Sequence, residues 1–376
     1  MQFIINFARN YIAVLPAIHQ DKLITFNNHL EFFIIDYLAK KKSIIIMTPD
    51  KMTTIKVPFE LKDIATYRSE LMGWAITWIM MLHFTFIQIK PLGFIAQYGF
   101  AGVDIFMMVS GLGLYFSLDK DNHIGHFYRK RLVRIFPTYY ILGIIASFIL
   151  YNDTIIRYLF RYSTIGFWIG GPYWEWYVPS IVALYLIAPF LKKLIDERPL
   201  FLISCLTIII WGISYIIVAK EMIEAKEPHF FLLYRIPTFI FGMICAYWIK
   251  IGTSIKCFYI IMLLGVPCFV FLYPLHHEIF NYKYFSMVFL LPLLIFFIII
   301  ITKSIQKINP IIIAIGKASL EIYLIQSIIF HAIDTSQLVI TPMWHDTITV
   351  ALIISSILLG IFSHWIIEKS GILHLF

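Results

Sequence analysis

The sequence predicts an all-α, polytopic integral membrane protein with about ten transmembrane helices in one bundle. Three observations predict it. First, 60% of the residues are hydrophobic and only 14% charged, with a mean hydropathy of +0.82, so the chain cannot clothe one core in water-wettable surface. Second, apolar runs of about 20 residues, the length a helix needs to cross the hydrocarbon, recur from about Gly73 to Ile366. Third, the charges concentrate in short stretches between those runs. A net charge of +8 placed in such stretches signals topology and an anionic ligand or leaflet, not a nucleic-acid partner.

Residues 1–67 read as an N-terminal extension, cytoplasmic or on the membrane surface, whose Lys40, Lys41 and Lys42 suit anionic lipid heads. The alternative is that translation starts at Met47 or Met52. No basic start leads into a compact apolar core with a small-residue cleavage site, so no signal peptide is expected. The membrane domain covers 68–369 and a short tail 370–376. Its expected spans are 70–89, 98–117, 133–151, 173–191, 200–219, 235–250, 257–273, 284–301, 311–330 and 347–366. With the N-terminus inside, the inner loops carry nearly twice the Lys and Arg of the outer ones, which places both ends in the cytoplasm.

Cys205, Cys245, Cys257 and Cys268 fall in or beside apolar runs without metal-ligand spacing, and read as small core residues. No bound metal or tightly held cofactor is expected, and His276 and His277 have no companion ligands.

The densest basic cluster is Phe127 to Tyr140, FYRKRLVRIFPTYY. At 100° per residue Arg131 and Arg134 lie roughly 60° apart on one helical face, and Lys130 roughly 40° from Arg134, while Arg129 points elsewhere. Two guanidiniums on one face make a fork for phosphate or pyrophosphate. Positive-inside anchoring is the competing explanation, and spacing alone does not decide between them.

His83 and Asp104 are ionisable residues inside apolar runs. His83 lies about six residues before the first span leaves the outer side, and Asp104 about six residues after the second span enters from that side. Antiparallel neighbours at that depth would let Asp104 orient His83 as a general base for a hydroxyl, although a lone buried histidine more often serves structure. Ser110 lacks the elbow of a nucleophile and reads as a packing residue. Trp174, Glu175, Trp176 and Tyr177 crowd the outer end of the fourth span. They read first as interface anchors, with an acceptor-side sugar contact as the alternative, and Arg235 has the same two readings. Glu368 reads as a partner for cytoplasmic lysines.

In order along the chain, His83, GVDIFMMVSG (Gly102 to Gly111), RKRLVRIFPTYY (Arg129 to Tyr140), WEWYVPSIVALYLIAPFL (Trp174 to Leu191), YRIPTFIFGM (Tyr234 to Met243), IGKASLEIYLIQ (Ile315 to Gln326) and SHWIIEK (Ser363 to Lys369) resemble the acyltransferase-3 family of integral-membrane acyltransferases. The resemblance covers about Arg68 to Lys369. It implies transfer of an acyl group, most simply acetyl, from acyl-CoA to a sugar hydroxyl, often in a bacterial envelope polysaccharide. It further implies acyl-CoA held by Arg131 and Arg134 at the cytoplasmic side of an inner membrane, with His83 near the transfer point. Two positions depart from the family. Met72 stands where an arginine is usual, with Arg68 one turn earlier, roughly 40° from Met72 and roughly 60° from His83 as a substitute. Gln326 stands where many relatives carry histidine, which weakens any role for it.

Besides the enzyme, the residues leave open a transporter of glycan or acyl groups that makes no bond, since many spans and buried charges suit one equally, and a non-catalytic scaffold.

Overall fold

The computed structural model describes residues 44–48, 51–55, 59–83, 92–121, 123–150, 152–169, 175–198, 201, 205, 209, 228–233, 235–253, 256–272, 282–335 and 345–370. The chain divides into two units, Met1–Glu60 and Leu61–Phe376. The second unit begins at Leu61, a few residues before the expected membrane domain. One reason is Asp63, whose carboxylate takes Lys303 Nζ at 2.7 Å and ties this lead-in to the helical body. The first unit contains an antiparallel hairpin, β1 (Ile44–Thr48) and β2 (Lys51–Ile55), rich in the β-branched residues that favour strands.

The described helices of eight or more residues in the second unit are α1 (Arg68–His83), α2 (Ala101–Lys120), α3 (Ile124–Ile145), α4 (Ile155–Tyr162), α5 (Tyr177–Glu197), α6 (Ile236–Lys250), α7 (Lys256–Leu272), α8 (Tyr282–Ser304), α9 (Asn309–Lys317), α10 (Ser319–Thr335) and α11 (His345–Lys369). Among the described residues six helical stretches are long and apolar enough to cross a membrane, or seven if one bent pair is a single span. The expected ten are not reached, for identifiable reasons. With 16 and 17 residues, α1 and α7 are short for a span, and 200–219 falls almost wholly outside the described residues. The expected span 311–330 is the bent pair, broken by 68°. The turn at Ala318 separates α9, which lies across α1, from α10, which turns into the bundle.

Packing orders the helices. The apolar stretch is 78% buried in α2 and 76% buried in Phe231–Lys250, which contains α6, against 17% in α11, so the first two are central and the last faces lipid. Gly111 and Gly242 allow that centre, because a Cβ at either would collide with the carbonyl of Phe239 or Met108 across the α2–α6 contact. Amphipathic α4 leaves Ile155, Ile156, Leu159 and Phe160 exposed, as in a helix lying at the membrane interface. The third span, Ile124–Phe148, starts earlier than the expected 133 and carries the basic cluster within its first turns.

Candidate active site

Along its whole length α1 lines a cavity of about 430 Å³, with Arg68, Met72, Ile76, Ile79 and His83 on one stripe. The spacing i, i+4, i+8, i+11, i+15 keeps all five on one helical face. At 1.5 Å per residue, the arginine and histidine ends lie about 22 Å apart. The volume falls within the range of small-molecule sites.

Arg131 and Arg134 of α3 join Arg68 at the first end, near enough for the three charges to act on one another. Arg129 and Lys130 are exposed and do not line the cavity. Lys130 instead faces Asp121 at 3.6 Å, in the loop between α2 and α3. There the His123 backbone N–H, with Lys130 and His126 beside it, holds the Asp121 carboxyl below the usual carboxylate range. Among the described residues no carboxylate lies within ion-pair distance of Arg68, Arg131 or Arg134. Arg68 Nε and Arg131 Nε are also buried without a hydrogen-bond partner. With the exposed Arg134 beside them, the three guanidiniums repel one another, and a polyanion would relieve the repulsion.

Gly113 seats this cluster. Arg131 Nη2 donates to its carbonyl at 3.4 Å, and a Cβ placed there would stand 2.8 Å from Arg68 Cζ. Arg68 therefore occupies space that only a glycine leaves open.

At the other end the expected Asp104–His83 pair does not form. His83 Nδ1 meets Gln326 Nε2 on α10, and its ring leans on Phe330 at 6.0 Å. Asp104 accepts from Thr238 Oγ1 of α6 at 3.2 Å and faces Nε of Arg235, just before α6, at 3.9 Å. The expected common depth is not seen either: Gly99 packs on Trp78 and Leu82 and Gly102 on Ala75 and Ile79, a register that sets Asp104 about two turns along α1 from His83, and azimuth turns it to another partner. Asp104, Met108 and Gly111 share the face that packs on α6, whereas Ser110, roughly 120° away from Asp104, lines the cavity. Gln326, discounted in the sequence, is fully buried against the candidate base.

The four outer candidates separate. Trp176 and Tyr177 line the cavity. Glu175 is turned away, accepting from Tyr162 Oη at 3.1 Å. Arg235 lies behind the Trp176 ring, its Cζ 5.3 Å from the centroid, and is 2% exposed, so it braces the aromatic wall. Trp174 lies outside the described residues. Glu321, His364 and Glu368 also line the cavity, and the sequence assigned no site role to any of them.

A protein of Acidianus two-tailed virus named "Putative acetyltransferase ORF330" is 27% identical over 187 residues, 46% of this chain. The chain spans about half the length of that curated relative, 52%. No solved structure matches. The sequence model of the acyltransferase-3 family, described as an acyltransferase domain, matches residues 71–368, a range holding both ends of the cavity but not Arg68. With that match over most of its length, the chain belongs to the acyltransferase-3 family of acyltransferases.

Proposed function

We propose that the protein transfers an acyl group, acetyl in the simplest case, from acyl-CoA to a hydroxyl of a sugar or lipid-linked glycan of the cell envelope. The observation that supports this most is the convergence of Arg68, Arg131 and Arg134, without carboxylate partners among the described residues, at one end of a cavity whose other end holds His83. A donor with several phosphates at one end of a long neutral arm and a thioester at the other suits such a cavity. Arg68 acts in place of the family arginine missing at Met72. The donor enters from the cytoplasm of a bacterial inner membrane, the phosphates stay with the arginines, and the acceptor reaches His83 from the outer side, where Trp176 offers a face to a sugar ring.

In the reaction, His83 takes the proton of the acceptor hydroxyl and the oxygen attacks the thioester carbonyl. The tetrahedral oxyanion collapses, the carbon–sulfur bond breaks, and the imidazolium returns its proton to the leaving thiolate. For His83 to be a base at Nε2, Nδ1 must carry its proton and donate it. That requires Gln326 to present its amide oxygen. The two amide orientations differ only by a half turn, and the turned one also pairs Oε1, which otherwise has no partner. Gln326→Leu is therefore expected to lower kcat by about 10- to 100-fold, the cost of one lost buried hydrogen bond, with little change in the KM for acyl-CoA. Steady-state kinetics with the purified protein check this.

Gly113→Ala tests the seat of the arginines. The added methyl displaces the Arg68 guanidinium, and CoA affinity measured by calorimetry is expected to fall about 10-fold, one charge-assisted hydrogen bond's worth.

Comparison of envelope glycans from cells with and without the protein tests the function itself. A mass difference of one acyl group on a glycan is expected. Identical glycans in both, with the protein present in the membrane, would count against it.

A further inference from the structure

Glu321 is a buried carboxylate for which the reaction above has no task. It stands in the first turn of α10 and is 5% exposed. Its Oε1 accepts from Thr138 Oγ1 of α3 at 3.4 Å and meets His364 Nδ1 of α11 at 3.2 Å. Three helices thus converge on one oxygen. The other, Oε2, is buried without a hydrogen-bond partner among the described residues, and burying a carboxylate oxygen without a donor is costly. The residue lines the same cavity as the arginines and His83.

Depth indicates what Oε2 receives. Thr138 is one turn beyond Arg134, about 6 Å along α3, and Gln326 is about 7.5 Å beyond Glu321 along α10. Glu321 therefore stands between the cation end and the histidine end. A carboxylate repels phosphate, so it marks where the anionic part of a ligand stops. Its complement is a neutral donor, an amide N–H or a hydroxyl. The pantetheine arm of acyl-CoA carries both, between its phosphates and its thioester.

We propose that Glu321, held by Thr138 and His364, binds an amide N–H or hydroxyl of the donor's pantetheine arm on Oε2 and so sets how far the thioester extends toward His83. The proposal rests on the acyl-CoA reading of the cavity. His364 and Thr138 then serve to aim the carboxylate and do not touch the ligand.

The test is calorimetric binding of two probes, CoA and adenosine 3′,5′-bisphosphate, to the purified full-length protein and to Glu321→Ala and Glu321→Gln. The bisphosphate carries the nucleotide but lacks the arm. Expected is an affinity for CoA lowered about 10- to 100-fold in Glu321→Ala and less in Glu321→Gln, whose amide oxygen still accepts, with bisphosphate affinity unchanged in both. Unchanged bisphosphate binding also shows that the cation end remains folded. Equal losses for both probes, or no loss for either, overturn the assignment of Glu321. If the wild type binds neither probe, the acyl-CoA reading itself is wrong and the assignment goes with it.

Discussion

His83→Ala is expected to lower acyl transfer by at least about 100-fold, the lower bound of what a positioned acid–base group contributes. The same variant should bind CoA as the wild type does. The reason is distance: His83 and Arg68 stand at opposite ends of the cavity, about 22 Å apart along α1, so removing the imidazole leaves the phosphate end intact. Labelled acetyl incorporated by cells carrying each form at equal level measures the first effect, and calorimetry the second. Equal labelling would remove His83 from the chemistry. Loss of CoA binding together with transfer would make it a folding residue instead.

The double variant Arg131→Ala/Arg134→Ala should show the opposite split. Each guanidinium donates charge-assisted hydrogen bonds worth about 1.5–3 kcal/mol, so two of them together correspond to about 100- to 10,000-fold in affinity for acyl-CoA. Removing cations that repel each other and Arg68 relieves strain in the unliganded protein, so its own thermal stability should not fall. Thermal stabilisation by CoA should be lost, and added salt should weaken CoA binding to the wild type more than to the variant. An unchanged response to CoA would return both arginines to the role of membrane anchors.

Several of these features were legible in the sequence because they lie within one helix. Arg131 and Arg134 share a face by helical geometry alone, and so do Arg68, Met72 and His83. The place of Arg68 on the same face as Met72 and His83 was therefore visible before any contact was. What was not legible depends on how helices rotate against one another. Depth counted from the expected spans placed Asp104 beside His83, yet the α1–α2 register sets the two about two turns apart and the Gly111–Gly242 contact turns the Asp104 face toward α6, where Thr238 and Arg235 receive it. The repeat of Asp104, Met108 and Gly111 at i, i+4, i+7 was the available signal, since a small residue on that face marks a close helix contact. Glu321 meets Thr138 across 183 residues and only because the chain bends 68° between α9 and α10. Nothing in the run SLEIYLIQ announces that bend, and the same bend brings Gln326 to His83. Among the described residues fewer spans than ten are found for a related reason, since a broken helix and two short ones read as full spans when composition alone is considered.

The purified wild-type protein, incubated in detergent with acetyl-CoA labelled in the acetyl group, tests the central claim most directly. With the wild type, label is expected to leave the thioester for an added glycan acceptor or water, whereas His83→Ala leaves the thioester intact while still binding CoA. A thioester that survives equally with and without the wild-type protein, in the presence of envelope glycan acceptor, would contradict that claim.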